Sequence, residues 1–397
     1  AEFTTGNWNV AVGNDALYDN TSGSNNVAIG GQALSNNTTA DNNVAVGYDA
    51  LLTNTTGTQH TAVGMYALYT GSTNGYNTAV GYKAGYSTTA SQNVFIGYRA
   101  GRDSSASDVC YVGYDSGLHA TGNSNTAVGH RTMDNSSCTG SSNTAIGREG
   151  LGGLTSGNNN TALGYFAGHD VTTGTDNTFI GAYCGDNTTT GNENVAMGYG
   201  SLNDLTTGAE NVCIGTRAGG YVTPLTTGSR NILIGRDSYT TNADSEHQII
   251  IGTYQKQAVG NSTAMINPNG GALYAGNNSS SLSTTSDRRI KKNIIDNTVG
   301  LDKINQIRVR NFEYKTEEEI QNDSPELKEV SNAACVEKEG TQLGVIAQEL
   351  SEILPECVKE QSTGVFTVDA ENITWHLVNA VKELSAEVTA LKAQINN

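Results

Sequence analysis

The sequence predicts a mainly β chain: a parallel β-solenoid, or β-roll, of about fifteen 17-residue repeats, then a small α+β domain ending in a coiled-coil helix. Three observations predict it. A short motif, Asn-(Thr/Val)-Ala-(Val/Ile)-Gly, returns at nearly constant spacing. The density of charged side chains rises abruptly after Thr285. The final stretch carries aliphatic residues at alternating spacings of four and three, the mark of a heptad helix.

The repeat is seen most clearly in Asn77-Thr78-Ala79-Val80-Gly81. Its glycines fall at 13, 30, 47, 64, 81, 97, 113, 129, 147, 164, 181, 198, 215, 235 and 252, mostly 17 apart, with one step of 20 at the Pro224 insertion. The residue before each of these glycines is aliphatic, from Val12 to Ile251. Two places earlier stands a β-branched residue in every copy but one, which has Cys110. Alternation at period two with β-branched residues means a short strand, and Gly then permits a tight bend that a Cβ would hinder. A second apolar pair, such as Ala50-Leu51 or Ala84-Gly85, reads as a second brief strand, and a polar loop leads to the next copy.

Such a unit cannot bury its own apolar face, whereas stacked copies can. Coils about 4.8 Å apart would make fifteen copies a rod of roughly 70 Å. Asn opens the motif in 12 of 15 copies, so stacked Asn side chains can bond along the rod as a ladder. Tyr follows the Gly in six copies (Tyr48, Tyr82, Tyr98, Tyr114, Tyr165, Tyr199). A row of this kind can stack sugars; the plainer reading is a structural aromatic ladder.

Composition narrows the function classes. With 36% hydrophobic residues, 47 Gly and only 4 Pro, the chain suits many tight turns in a regular structure rather than one large core. Residues 1–285 hold 28 charged side chains and residues 286–397 hold 33, which marks a boundary. An acidic chain of net charge −17 without a basic patch is a poor nucleic-acid binder. No apolar run is long enough for membrane insertion, and no signal peptide is visible. No phosphate loop of the Gly-x-x-x-x-Gly-Lys type occurs, and the repeat glycines lack the strand-loop-helix context of a dinucleotide fingerprint. Cysteines 110, 138, 184, 213, 335 and 357 show no close pairing. Cys110 and Cys213 fall in strand slots and read as small buried apolar residues. No metal site and no cofactor is expected.

The domains are then 1–259 as solenoid, 260–285 as hairpin and linker, and 286–397 as the α+β domain. Asn267-Pro268-Asn269-Gly270-Gly271 is a turn signal, with Ala272–Ala275 as a hairpin strand. Residues 277–285, nearly all Ser, Asn and Thr, form an accessible linker. Beyond it, Arg308–Tyr314 alternates like a strand, and the charged residues 317–340 read as an exposed loop. Leu343–Glu349 enters a helix that stops at Pro355. Thr367-Val368-Asp369 is a short strand, and Asp369 or Asn372 caps the last helix. That helix carries Leu377, Val381, Leu384, Val388, Leu391 and Ile395 as a heptad seam, which needs partners to be stable.

Two resemblances follow. The Asn-Thr-Ala-Val-Gly array resembles the heads of trimeric autotransporter adhesins, left-handed parallel β-rolls with three chains side by side, and the shafts of phage tail fibres. Residues 286–397 resemble the intramolecular chaperone domain of phage tailspikes, tail fibres and endosialidases. The matching residues are Ser286-Asp287-x-Arg289-x-Lys291, Gly344-Val345-Ile346-Ala347-Gln348-Glu349 with Pro355 after it, and the closing helix. The resemblance implies a homotrimeric fibre whose last domain trimerises it, helps it fold and then cuts itself off. It places the nucleophile on Ser286 and the basic partner on Lys291.

The residues themselves supply the minimum for such a site, a Ser and a Lys five apart. Lysine can act as base once burial or nearby cations lower its pKa, and Arg288, Arg289 and Lys292 supply the cations. The five-residue gap puts the two side chains on opposite faces of a strand and about 140° apart on a helix. The dyad therefore needs a bend, or a Lys from a neighbouring chain. His376 reads as packed or surface rather than catalytic; Glu349 and Asp369 have no role from spacing. The expected protein is a phage tail fibre, made in the host cytoplasm and carried on the virion beside other tail proteins, binding a host cell-surface glycan. A bacterial or prophage-encoded trimeric adhesin is the alternative. A polysaccharide-degrading tailspike is a third reading, for which the array shows few acids and no clustered pair.

Overall fold

The computed structural model describes residues 5–71, 75–220, 222–258, 260–267, 273–276, 288, 291–324, 339–360 and 364–395. The chain divides into two compact units, Ala1–Thr285 and Ser286–Asn397.

The first unit is a parallel β-solenoid. Each coil gives one three-residue strand, from β1 (Val10–Val12) to β13 (Val212–Ile214), and two longer ones follow, β14 (Ile232–Arg236) and β15 (Ile249–Tyr254). Every strand pairs in parallel with the next, motif on motif, as Thr161-Ala162-Leu163 does with Thr178-Phe179-Ile180. The sheet runs on into β16 (Thr263–Asn267), parallel to β15, and β17 (Leu273–Gly276) folds back antiparallel as the expected hairpin.

Among the described residues the expected second strand of each repeat does not form. The apolar pair sits in a turn, because the same slots are left-handed in coil after coil: Glu149 (φ 55), Leu151 (φ 49) and Asn159 (φ 58) in one, Asp49, Leu51 and Gln59 in another. A left-handed residue with a Cβ costs about 1–2 kcal/mol. Burying a leucine gains about 1.5–3 kcal/mol, and Leu151 and Leu51 are fully buried. Burial wins, and the pair becomes core.

In β2 to β15 the middle residue of the motif points inward to meet that turn. Ala145 and Ala162 are fully buried, and where Phe179 takes the strand slot the turns beside it carry Gly168 and Gly185. A Cβ on Gly185 would stand 2.4 Å from the Phe179 ring, so volume is exchanged between slots rather than added. The motif glycine answers a different need, close stacking: a Cβ on Gly164 (φ +144) would stand 2.5 Å from the Gly181 carbonyl of the next coil.

The Asn ladder forms, and it is buried. Asn177 Oδ1 accepts the Asn194 N–H of the next coil (3.0 Å), while its Nδ2 donates to the Gly191 carbonyl (2.8 Å). Asn177 N–H in turn donates to Asn160 Oδ1 (3.1 Å). His60 keeps the pattern by accepting from Asn77 N–H through Nδ1 (3.3 Å). Val109 breaks it, since its side chain offers the next coil no acceptor.

The tyrosine row is a ladder too. Tyr82, Tyr98, Tyr114 and His130 stack with centroids 5.3, 5.0 and 5.0 Å apart. Their faces cover one another, so edges, not faces, meet solvent. The first and third residues of each strand point away from the core. The third slot forms an exposed aliphatic row that includes Ile29, Ile96, Leu163, Met197 and Ile251. Cys213, at a strand centre, is buried as expected, and burial pushes its thiol well up. Cys110 is only half-buried, because it occupies the first, outward slot.

The second unit begins with α1 (Leu301–Ile304) and β18 (Arg310–Phe312), shorter than the strand expected over 308–314. Helix α2 (Glu317–Asp323) then stands where a loop was expected. Thr316 caps it in a capping box with Glu319, and Glu317, Glu318 and Glu319 favour its positive end. The remainder of that expected loop, 325–338, lies outside the described residues. β19 (Gln342–Gly344) pairs antiparallel with β18, so Leu343 is strand rather than helix entry. α3 (Ala347–Ser351) ends before Pro355, which instead opens a 3-10 turn to Cys357. β20 (Val358–Glu360) pairs with β21 (Phe366–Val368), and α4 (Ala370–Ile395) closes the chain. Leu350, Leu354 and Cys357 form its small core with Val299, Ile307, Val368 and Ile373 packed against them.

Replacing Asn177 by Ala strands a buried backbone N–H and a carbonyl, and should cost about 1–3 kcal/mol per orphaned group. Val109→Asn restores the missing acceptor and should stabilise by up to about 1 kcal/mol. Denaturant melts of both variants check the pair; equal stability of all three proteins would remove the ladder's energetic role.

Candidate self-cleavage site

The candidate nucleophile Ser286 lies outside the described residues, as do Asp287 and Arg289. Lys291 is described and exposed. Its N–H donates to the Arg288 carbonyl at 3.2 Å.

Downstream, residues 297–301 lie along α4. Asn379 Nδ2 donates to the Asn297 carbonyl (2.8 Å), and Glu383 Oε2 accepts the Leu301 N–H (2.8 Å). His376 Nδ1 stands 3.1 Å from the Val299 carbonyl, and its Nε2 stands 3.0 Å from Glu356 Oε1. Both neighbours of this buried ring are acceptors, a carbonyl on one side and a carboxylate on the other. Gly300 makes the approach possible: a Cβ there would stand 2.5 Å from Glu383 Oε1 and 2.9 Å from the Ala380 nitrogen.

The two acids without a role from spacing acquire one. Glu349 on α3 grips Arg310 on β18 through two contacts, 2.7 and 3.2 Å, and that hydrogen bonding holds its carboxyl below the usual range. Asp369 caps α4 by accepting the Asn372 N–H (3.2 Å). Both are scaffolding. The seam residues Leu377, Val381, Leu384, Val388, Leu391 and Ile395 are all exposed in the single chain.

Residues 286–359 match the family model described as the chaperone of endosialidase. The match opens on the Ser286-Asp287-x-Arg289-x-Lys291 motif and stops before α4. No solved structure matches the chain. The matched family is a self-cleaving chaperone domain, which supports a peptidase activity of the chain on itself. A solenoid of fifteen coils with this domain behind it fits a tailspike- or endosialidase-type fibre with a C-terminal chaperone.

Outside the chaperone domain, the solenoid brings together side chains that the sequence keeps far apart. His169 Nδ1 stands 2.8 Å from Asp170 Oδ1 and 3.9 Å from Asp186 Oδ1, and its Nε2 stands 3.8 Å from Glu149 Oε2. Sequence reading found no acidic cluster in the array; the repeat spacing that places coil on coil was the signal available. Among the described residues no such group is arranged to hold a metal ion. Burial raises the Asp186 carboxyl above its usual range, with Asp170 and Asp204 adding to the rise against an opposing pull from His169.

A raised carboxyl disfavours folding once it ionises. The penalty is absent below the ordinary carboxylate range and complete at neutral pH. Asp186→Asn should therefore raise the melting temperature at pH 7, and the gain should vanish near pH 3. Melts at the two pH values check this; a gain that persists in acid would assign the effect to packing.

Proposed function

We propose that this chain is a phage tail fibre protein whose chaperone domain drives assembly of three copies and then releases itself by cutting next to Ser286. One observation carries the reading. The chaperone match begins at residue 286, the position at which the chain divides into its two units. A domain built to leave has its motif at the seam where leaving does least damage.

The chemistry needs no cofactor. Ser286 Oγ adds to the carbonyl carbon of an adjacent peptide bond while its proton passes to Lys291 Nζ. The tetrahedral adduct expels the amine, which takes that proton, and leaves an ester. Water hydrolyses the ester and restores the hydroxyl. Lys291 acts in cis or comes from a neighbouring chain.

Assembly follows from exposed apolar rows. The aliphatic row along the solenoid and the seam on α4 are both uncovered in one chain, and two further copies cover both at once. The assembled fibre presents the repeat array to a host cell-surface glycan, beside other virion tail proteins. A bacterial or prophage-encoded adhesin would use the same parts without a particle.

Mass spectrometry of the purified full-length protein should find a released fragment of roughly 12 kDa, the mass of about 112 residues. Ser286→Ala and Lys291→Ala should both leave full-length chains that still fold. Efficient cutting of Ser286→Ala would sink the mechanism. Light scattering should give a trimer for the mature fibre, and a monomeric mass would refute the assembly.

Charges in the seam should stop assembly itself. Leu384→Asp combined with Leu391→Asp places carboxylates where apolar contacts must form. Soluble trimers at normal yield from that double variant would show the seam to be dispensable.

A further inference from the structure

We propose that His376, Asn379 and Glu383 form a clasp that ties the cleavage segment to the helix carrying the assembly seam. They act as positioning residues for the self-cleavage proposed above, and the inference rests on that reading. The clasp lies on α4, beyond residue 359, where the chaperone match ends.

The geometry is specific. Three side chains on one face of α4 hold backbone groups of three alternate residues, Asn297, Val299 and Leu301. Glu356 holds the far side of the His376 ring, which fixes its orientation. The seam residues lie roughly a third of a turn round the same helix. One rigid element thus carries the surface that gathers chains and the surface that gathers the segment.

The tether is short. Lys291 is six residues before Asn297, so it stays within about 20 Å of the clasp, and Ser286, eleven residues before, within about 40 Å. When the seam joins helices, each clasp delivers its own segment to that assembly. Cutting is then fast only in chains that have assembled, and losing the clasp uncouples the two events without touching the seam or the dyad.

Two variants break the clasp. Glu383→Ala removes the acceptor of the Leu301 N–H, and Gly300→Ala drives the segment off α4. Both should still give trimers by light scattering, with cutting slowed about tenfold or more, the shift expected on losing a hydrogen bond to a charged group. Glu383→Gln keeps an acceptor oxygen and should cut within about threefold of wild type, a rescue that merely structural damage would not show. Should either breaking variant fail to assemble, Asn379→Ala, which loses the amide bonds to the Asn297 and Val299 carbonyls and leaves Glu383 in place, takes its place in the comparison.

Trimers of the breaking variants that cut at the wild-type rate, or a Glu383→Gln as slow as Glu383→Ala, would overturn the clasp. Failure of the cleavage reading looks different: wild type stays whole, or Ser286→Ala is cut equally well. In either case hydrogen exchange in the residues after 286 of the wild-type protein, cut or whole, still judges the clasp. The Leu301 amide should be protected there and should lose protection when Glu383→Ala is added; equal exchange would refute the contact.

Discussion

Each coil is held to the next by a side-chain amide that cannot be satisfied within its own repeat. Asn160, Asn177 and Asn194 each accept the backbone N–H of the following coil while donating to a loop carbonyl of that same coil. These groups are buried, so an unmade bond costs more than a made one gains. The ladder therefore enforces register more than it adds strength. Once register is fixed, the motif glycine, the inward Ala and the turn Leu must recur at the same spacing, because each packs against its own kind one coil away.

That constraint explains which parts of the fold were legible in the sequence. The period, the strand and the Asn row could be read because stacking forces identical demands on successive coils. The turn could not. Leu51 and Leu151 adopt a left-handed backbone that local preference opposes, and only burial against the neighbouring coil makes it favourable. Helix α2 shows a different failure. Its Thr316-x-x-Glu319 signature lay in the sequence, yet the dense charge over 317–340 reads as an exposed loop.

The candidate site divides along the same line. Ser286 and Lys291 were named from the sequence as candidates because a motif of close residues carries its own spacing. His376, Asn379 and Glu383 were not, since their partners stand 77 to 82 residues earlier in the chain. The acidic group around His169 is an intermediate case. Its members are separated by about one or two repeat lengths, so the same period that revealed the solenoid also implied the contact.

A solenoid closed by stacking is satisfied along its axis and unsatisfied at its side. The middle strand residue is used inward, so the first and third must point out, and the motif makes both of them apolar or β-branched. A short strand offers no alternative: period two leaves two residues on the outer face for each one within. Solubility of the lone chain and burial of its core are therefore in conflict from the first coil onward. In the function proposed above, an assembly device that acts early and is then dispensable resolves the conflict, because contacts repeated over fifteen coils would hold what a short helical seam began. On that proposal, discarding the seam costs the fibre little, since the coils supply the lasting contacts.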